Sequence, residues 1–155
     1  MSPNVKPIPD QYHTVTPHMV VKDCAKAIEF YKKAFNAEVR GIMDGPGGKV
    51  MHAEIKIGNS IIMLNDEFAD MGAVSAATVG GNPTTLHIYV EDADKLYNQA
   101  VGAGATVKMP IADMFWGDRY GVLKDPFGNS WSVATHKEDL TPAQMDERMK
   151  SSMKG

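Results

Sequence analysis

The sequence predicts an α+β fold made of two paired βαβββ modules followed by a C-terminal helix. Three observations predict it. The order strand, helix, strand, strand, strand is spelled out over residues 12–66 and again over 84–136. Short strings recur in that order at nearly constant spacing. Val21 and Asp23 return as Val90 and Asp92 after 69 residues, Val39 as Val107 after 68, and Gly58-Asn59-Ser60 as Gly128-Asn129-Ser130 after 70. A fixed period of this kind marks a duplicated structural unit. Finally, each copy places an aspartate before a run of apolar residues at helical spacing, and then switches to strand-like alternation.

Taken in order, residues 1–11 read as an extended, proline-rich arm. A strand follows from Tyr12 to Val21, rich in valine and threonine, with Pro17 pointing to an edge or a bulge. Asp23 caps a helix whose buried face is Cys24, Ala27, Ile28, Tyr31, Ala34 and Phe35, and Asn36 closes it. Three strands come next, AEVRGIM, KVMHAEIKIG and SIIMLND, separated by the turns at 44–48 and 58–59. Alternation in the middle strand puts Met51, Ala53, Ile55 and Ile57 on one face and His52, Glu54 and Lys56 on the other. Residues 67–83, rich in alanine, glycine and threonine, link the halves.

The second module repeats the grammar. TTLHIYV is a strand, and Asp92 caps a helix with Ala93, Leu96, Tyr97, Ala100 and Val101 on its apolar face and Gly104 as its stop. The strands ATVKMPI, DRYGVLK and SWSVATH complete it, the last two joined by the turn DPFG, which is assigned to structure rather than chemistry. The tail, 137–155, opens a helix with the capping box Thr141-Pro-Ala-Gln144 and a Leu140/Met145 staple. Met145, Met149 and Met153 line one stripe of it, for packing on its own domain or for a dimer contact.

Composition narrows the function classes. A net charge of −3 with no basic block argues against a nucleic-acid partner. No apolar run reaches the roughly 20 residues needed to cross a bilayer, and the N-terminal residues lack the apolar core of a signal peptide. One cysteine, Cys24, cannot form an internal disulfide, so a cytoplasmic location is expected. Cys24 is read as a packing residue; a thiolate nucleophile at the helix start is the alternative. Gly80-Gly81 lacks the strand–helix setting of a phosphate loop.

The strings VKDCAKAIEFYKKAF, VEDADKLYNQAVGAGATV and LKDPFGNSW resemble the vicinal oxygen chelate (VOC) superfamily, the glyoxalase/bleomycin resistance/dioxygenase-like proteins. KVMHAEIKIGNSIIMLNDE, LHIYVEDAD and GDRYGVLKDPFGNSWSVATHKEDL are similar to its PhnB-like branch. The resemblance covers residues 12–136 and implies that the sheets of both modules curve into a cup. One sheet face then packs on the helices and the other lines the cavity. Alternation assigns Met19, Val21, Leu86, Ile88, Val90, Trp131 and Val133 to the core, and Thr16, His18, Thr85, His87, Tyr89, Ser132 and Ala134 to the cup.

Metal-dependent members of that family hold a divalent ion with four side chains. The corresponding positions here are Thr16, Thr85, Ile62 or Met63, and Ser132. Hydroxyls and thioethers hold such ions poorly, so no cofactor is expected. A shifted site for Zn²⁺, Ni²⁺ or Mn²⁺ would use His18, His87 and Glu54. The ligand-binding candidates are His18, His52, Glu54, Thr85, His87, Tyr89, Trp116, Arg119 and Ser132. Phe115 and Trp116 stand either as a cavity lip or as a plug. Arg119 stands either on an anionic ligand group or in a local pair with Asp118. His87 and Glu54 are the candidates for acid–base catalysis. The expected function is binding or sequestering a small organic ligand, in a homodimer. The alternative is a metal-dependent lyase or isomerase resembling glyoxalase I (lactoylglutathione lyase-like).

Overall fold

The first helix of each module begins on an aspartate whose side chain accepts a backbone hydrogen bond. In the computed structural model, which describes residues 4–154, strand β1 (His18–Val21) leads into helix α1 (Cys24–Phe35). Asp23 accepts from the Lys26 amide at 3.2 Å, and Asn36 ends the helix in the left-handed region, φ 57°. The first three residues of the arm and Gly155 of the tail lie outside the described residues. The six residues expected on the α1 face are all buried, and Phe30 joins them. Burying each large side chain contributes about 1.5–3 kcal/mol, so packing rather than intrinsic propensity holds this helix.

Strands β2 (Glu38–Asp44), β3 (Val50–Ile57) and β4 (Ser60–Asp66) complete the first sheet, in the order β1-β4-β3-β2. β1 runs parallel to β4, and the other pairs are antiparallel. The segment after β4 holds a 3-10 turn at Ala69–Met71 and helix α2 (Ala76–Val79). It is more ordered than a plain link, because Glu67 accepts from the Ser75 amide (2.8 Å), the Ser75 hydroxyl (2.5 Å) and the Thr78 hydroxyl. Those three bonds hold the Glu67 carboxyl down at about 2.

The second sheet repeats the first. Strand β5 (Thr85–Tyr89), helix α3 (Ala93–Ala103), and strands β6 (Thr106–Asp113), β7 (Asp118–Lys124) and β8 (Ser130–His136) give the order β5-β8-β7-β6. Helix α4 (Pro142–Ser152) follows, with the capping box in place. The duplication extends to how each helix is tethered. Asp66 accepts from the Cys24 amide at 2.8 Å; 69 residues on, the Thr135 hydroxyl accepts from the Ala93 amide at 2.8 Å. The DPFG turn is structural, as expected. Buried Asp125 accepts from the Phe127 and Asn129 amides and from the Trp131 indole. The chain divides into two compact units, one ending at Gly81 and one beginning at Asn82.

Several expectations need correcting. β1 starts only at His18, because Pro17 has no N–H to donate and the Thr16 hydroxyl turns back to the His13 carbonyl at 3.1 Å. Thr16 is therefore outside the strand, in irregular chain after the bend at residues 14–15. Met51 is not in the core; Val50 is. β3 bulges there, since Met43 pairs with His52 but Asp44 with Val50, which breaks the alternation. Val101 is 37% exposed, at the margin of the α3 face. The tail stripe is not buried in its own unit: no α4 residue is buried, and Met153 is the C-cap, beyond the helix.

Candidate functional site

In each unit the sheet face turned away from the helix carries the candidate polar residues. In the first unit this face follows from the register. His18 pairs with Met63, and Met63 with Glu54, so the three lie in one row across the sheet. That register settles the choice left open between Ile62 and Met63: Ile62 is buried and Met63 stands beside His18. His18 Nε2 is 2.5 Å from Asn65 Oδ1. The Asn65 amide nitrogen donates to the Asp66 carbonyl, which turns Oδ1 toward His18 and makes Nε2 the donor. The His52 ring meets His18 edge-on at 6.0 Å, and His52 Nε2 is 3.0 Å from Glu54 Oε2.

Tyr12, from the N-terminal arm, donates its hydroxyl to Glu54. That bond, and then the one from His52, holds the Glu54 carboxyl below the usual carboxylate range, while Tyr12 is pushed above the ordinary phenol value. Gln11 reaches Arg40 and Lys56, and His13 reaches the Asn59 carbonyl. The arm thus lies across this face. Sequence reasoning missed that, because no local pattern encodes a contact between residues 12 and 54.

In the second unit the matching row is His87, Ser132 and Val122. His87 Nδ1 is 2.6 Å from the Ser132 hydroxyl, and Ser132 is buried. Around His87 stand Tyr89, edge-on at 4.5 Å, and Tyr120, stacked at 5.9 Å. Trp116 meets Tyr120 at 5.2 Å, and Phe115 meets Trp116 at 5.1 Å. Thr85 is on the same face, exposed, two residues before His87. Burial lowers the His87 pKa, against the opposing pull of Asp118, and so disfavours the imidazolium form.

A buried carboxylate anchors this aromatic group. Asp118 accepts from His136 Nδ1 at 2.7 Å, from the Trp116 indole at 3.1 Å and from the Tyr89 hydroxyl at 3.4 Å. His136 also contacts Asp139, and the two carboxylates, Asp139 first, raise its pKa. Asp118, Tyr120 and His136 were not among the sequence-based candidates. Alternation in DRYGVLK was the available signal, since it places Asp118 and Tyr120 on one face and Arg119 on the other.

Arg119 accordingly does not join this group. Its guanidinium makes two bonds to Asp94 on α3, at 3.0 and 2.9 Å, with Asp113 3.5 Å away, and no local pair with Asp118 forms. Phe115 also lines a hollow of about 490 Å³ against α4, with Gln144, Glu147, Arg148 and Ser151. Cys24 is buried, and desolvation, reinforced by Asp66, pushes its thiol up to about 12. Both observations favour the packing role over the nucleophilic one.

The residues at the family's metal positions do not fit a divalent ion. Thr16 is bonded to a carbonyl, Met63 offers a thioether, Ser132 is bonded to His87, and Thr85 offers a lone hydroxyl. Among the described residues, no three His, Cys, Asp or Glu side chains are grouped to hold a metal. No helix of the described residues is long and apolar enough to cross a membrane.

Two βαβββ units of identical strand order, each with an acid-capped helix, define a class of small α+β proteins. The chain belongs to the Glyoxalase/Bleomycin resistance protein/Dioxygenase superfamily, whose model matches residues 11–133. It is 40% identical over 154 residues to the uncharacterized protein Mb0911c of Mycobacterium bovis, with 97% of each chain covered. It is 30% identical over 123 residues to the Arabidopsis thaliana protein At5g48480, covering 74% of this chain and 73% of that one. Its fold is like that of the PhnB protein of Bacillus cereus, with a TM-score of 0.63 at 21% identity, over 79% of this chain and 99% of that one.

Proposed function

We propose that the protein binds a small, planar organic ligand against the aromatic face of its second unit, without a metal and without turnover. The observation that carries this reading is the environment of His87. Its Nδ1 is engaged by Ser132, three aromatic rings stand at or near it, and burial disfavours its charged form. Such a surface favours an uncharged ring system, each ring contact contributing about 0.5–1.5 kcal/mol beyond area burial. In the first unit, Glu54 is occupied by Tyr12 and His52, which argues against its service as a free general base. A homodimer in the cytoplasm belongs to the same reading. Support for the dimer is strand β2, exposed along its length, with Ile42 and Met43 51% and 62% exposed.

The test is a titration with quinoline, followed by Trp116 emission; the other tryptophan, Trp131, is buried. Saturable binding should weaken by about 2- to 13-fold in Tyr89→Ala, the loss of one ring contact. Unchanged affinity in that variant would count against the site. Isomerase activity appearing on addition of Ni²⁺, Zn²⁺ or Mn²⁺ would instead favour the glyoxalase-type lyase or isomerase.

A further inference from the structure

We propose that Arg40 and Lys56 form an oxyanion site in the first unit, for a carboxylate or phosphate group on a small ligand. In this proposal the side-chain oxygen of Gln11 is the stand-in for that group. Arg40 Nη1 donates to Gln11 Oε1 at 2.5 Å, and Lys56 Nζ donates to the same oxygen at 3.1 Å. Two full positive charges thus converge on one neutral acceptor. A carboxylate or phosphate oxygen in that place would add a charged acceptor to donors that are already charged, and the planar guanidinium suits either group.

The fold builds this pair on purpose-shaped backbone. β2 bulges between Val39, which pairs with Ile55, and Gly41, which pairs with Glu54, so Arg40 is the extra residue. Nothing lies within 4 Å of where a side chain on Gly41 would begin, which leaves open space beside the pair. The second module repeats the device. Val107 pairs with Leu123 and Met109 with Val122, so Lys108 is the extra residue of the same bulge. Lys124 pairs with Thr106 as Lys56 pairs with Glu38. A basic residue on the bulge and a lysine on the neighbouring strand therefore recur together.

Arg40 helps to hold the Glu54 carboxyl down through space, but neither Arg40 nor Lys56 is bonded to it. Glu54 is bonded to Tyr12 and His52, and among the described residues no salt bridge joins Arg40 or Lys56 to a carboxylate, Glu38 included. Gln11 itself is held at φ 73°, a left-handed conformation that a non-glycine residue adopts only under constraint. The site stands on the first unit alone and does not depend on the ligand proposed for the aromatic face.

The experiment is a ¹⁵N-resolved NMR titration of the full chain at low ionic strength, with inorganic phosphate and, separately, acetate. The amides of Gln11, Gly41 and Lys56 should shift saturably with at least one of the two, and the arm that saturates identifies the group as phosphate or carboxylate. Gln11→Ala should tighten binding by about threefold or more. Gln11→Glu, which supplies a carboxylate in place, should abolish binding and raise Tm by about 2 °C. The double variant Arg40→Gln/Lys56→Gln should lose binding while the amide spectrum of residues 82–154 stays unchanged. Non-saturating shifts with both anions, or an affinity unaffected in the double variant, would overturn the proposal.

Discussion

Replacing Asp118 with alanine should destabilise the protein by about 3 kcal/mol. The side chain is 5% exposed and accepts three hydrogen bonds, from His136, Trp116 and Tyr89. A bond to a charged group contributes about 1.5–3 kcal/mol, and the Trp116 bond at 3.1 Å belongs in that range. The Tyr89 bond, at 3.4 Å, is weaker. A partly buried indole N–H left without an acceptor adds its own desolvation cost. For a chain of 155 residues, about 3 kcal/mol corresponds to a fall in Tm of about 6–12 °C. Urea unfolding followed by tryptophan emission reads the same quantity. Asp118→Asn should be milder at alkaline pH, because a neutral His136 can accept from the new amide through Nδ1 while its Nε2 donates to Asp139. It should differ in pH dependence. In the parent, the raised pKa of His136 adds stability that is fully present below its unfolded value near 6.5 and fades as pH rises through the folded value. The Asn variant should flatten that slope. A loss below about 1 kcal/mol for Asp118→Ala would refute the view that this carboxylate holds the aromatic face together.

Gly121→Ala should cost about 1–3 kcal/mol, read as a lower urea midpoint, because a new Cβ would lie 2.6 Å from the Tyr97 ring and 3.1 Å from the Ile111 backbone. Cys24 should resist iodoacetamide at pH 8 in the folded protein and react after unfolding, since its thiol is pushed up to about 12. Glu67 contributes stability that is present above its unfolded pKa near 4.5 and lost as pH falls toward about 2. Protection factors at residues 75–80, taken against the intrinsic exchange rate at each pH, should therefore fall across that window, and Glu67→Gln should remove the fall.

The fold was legible wherever the signal was local. The α1 face could be read residue by residue because helical spacing and the Asp23 cap agreed. The same spacing overreached at Val101, one position past the buried arc of α3. Strand alternation located β3 but failed at Met51, because a bulge depends on the partner strand and leaves no mark in its own sequence. The candidate site was half legible. Duplication set His18 and His87 at matching registers, opposite Met63 and Ser132. The contact of Tyr12 with Glu54 and the role of Asp118 as a shared acceptor join residues distant in sequence, and composition or period carries no trace of them. Arg119 shows the cost of reading a loop motif without its strand. MFWGDR looked like one cluster, yet pleating sends Arg119 to Asp94 and Asp118 to the aromatic rings.

The measurement that tests the central claim most directly is a titration of the purified, metal-stripped protein with Zn²⁺, followed by the ring proton resonances of His18, His52 and His87. These resonances should not shift stoichiometrically, while quinoline should perturb His87 saturably. Stoichiometric Zn²⁺ binding that shifts His87 and is lost in His87→Ala would rule out metal-free binding at this face.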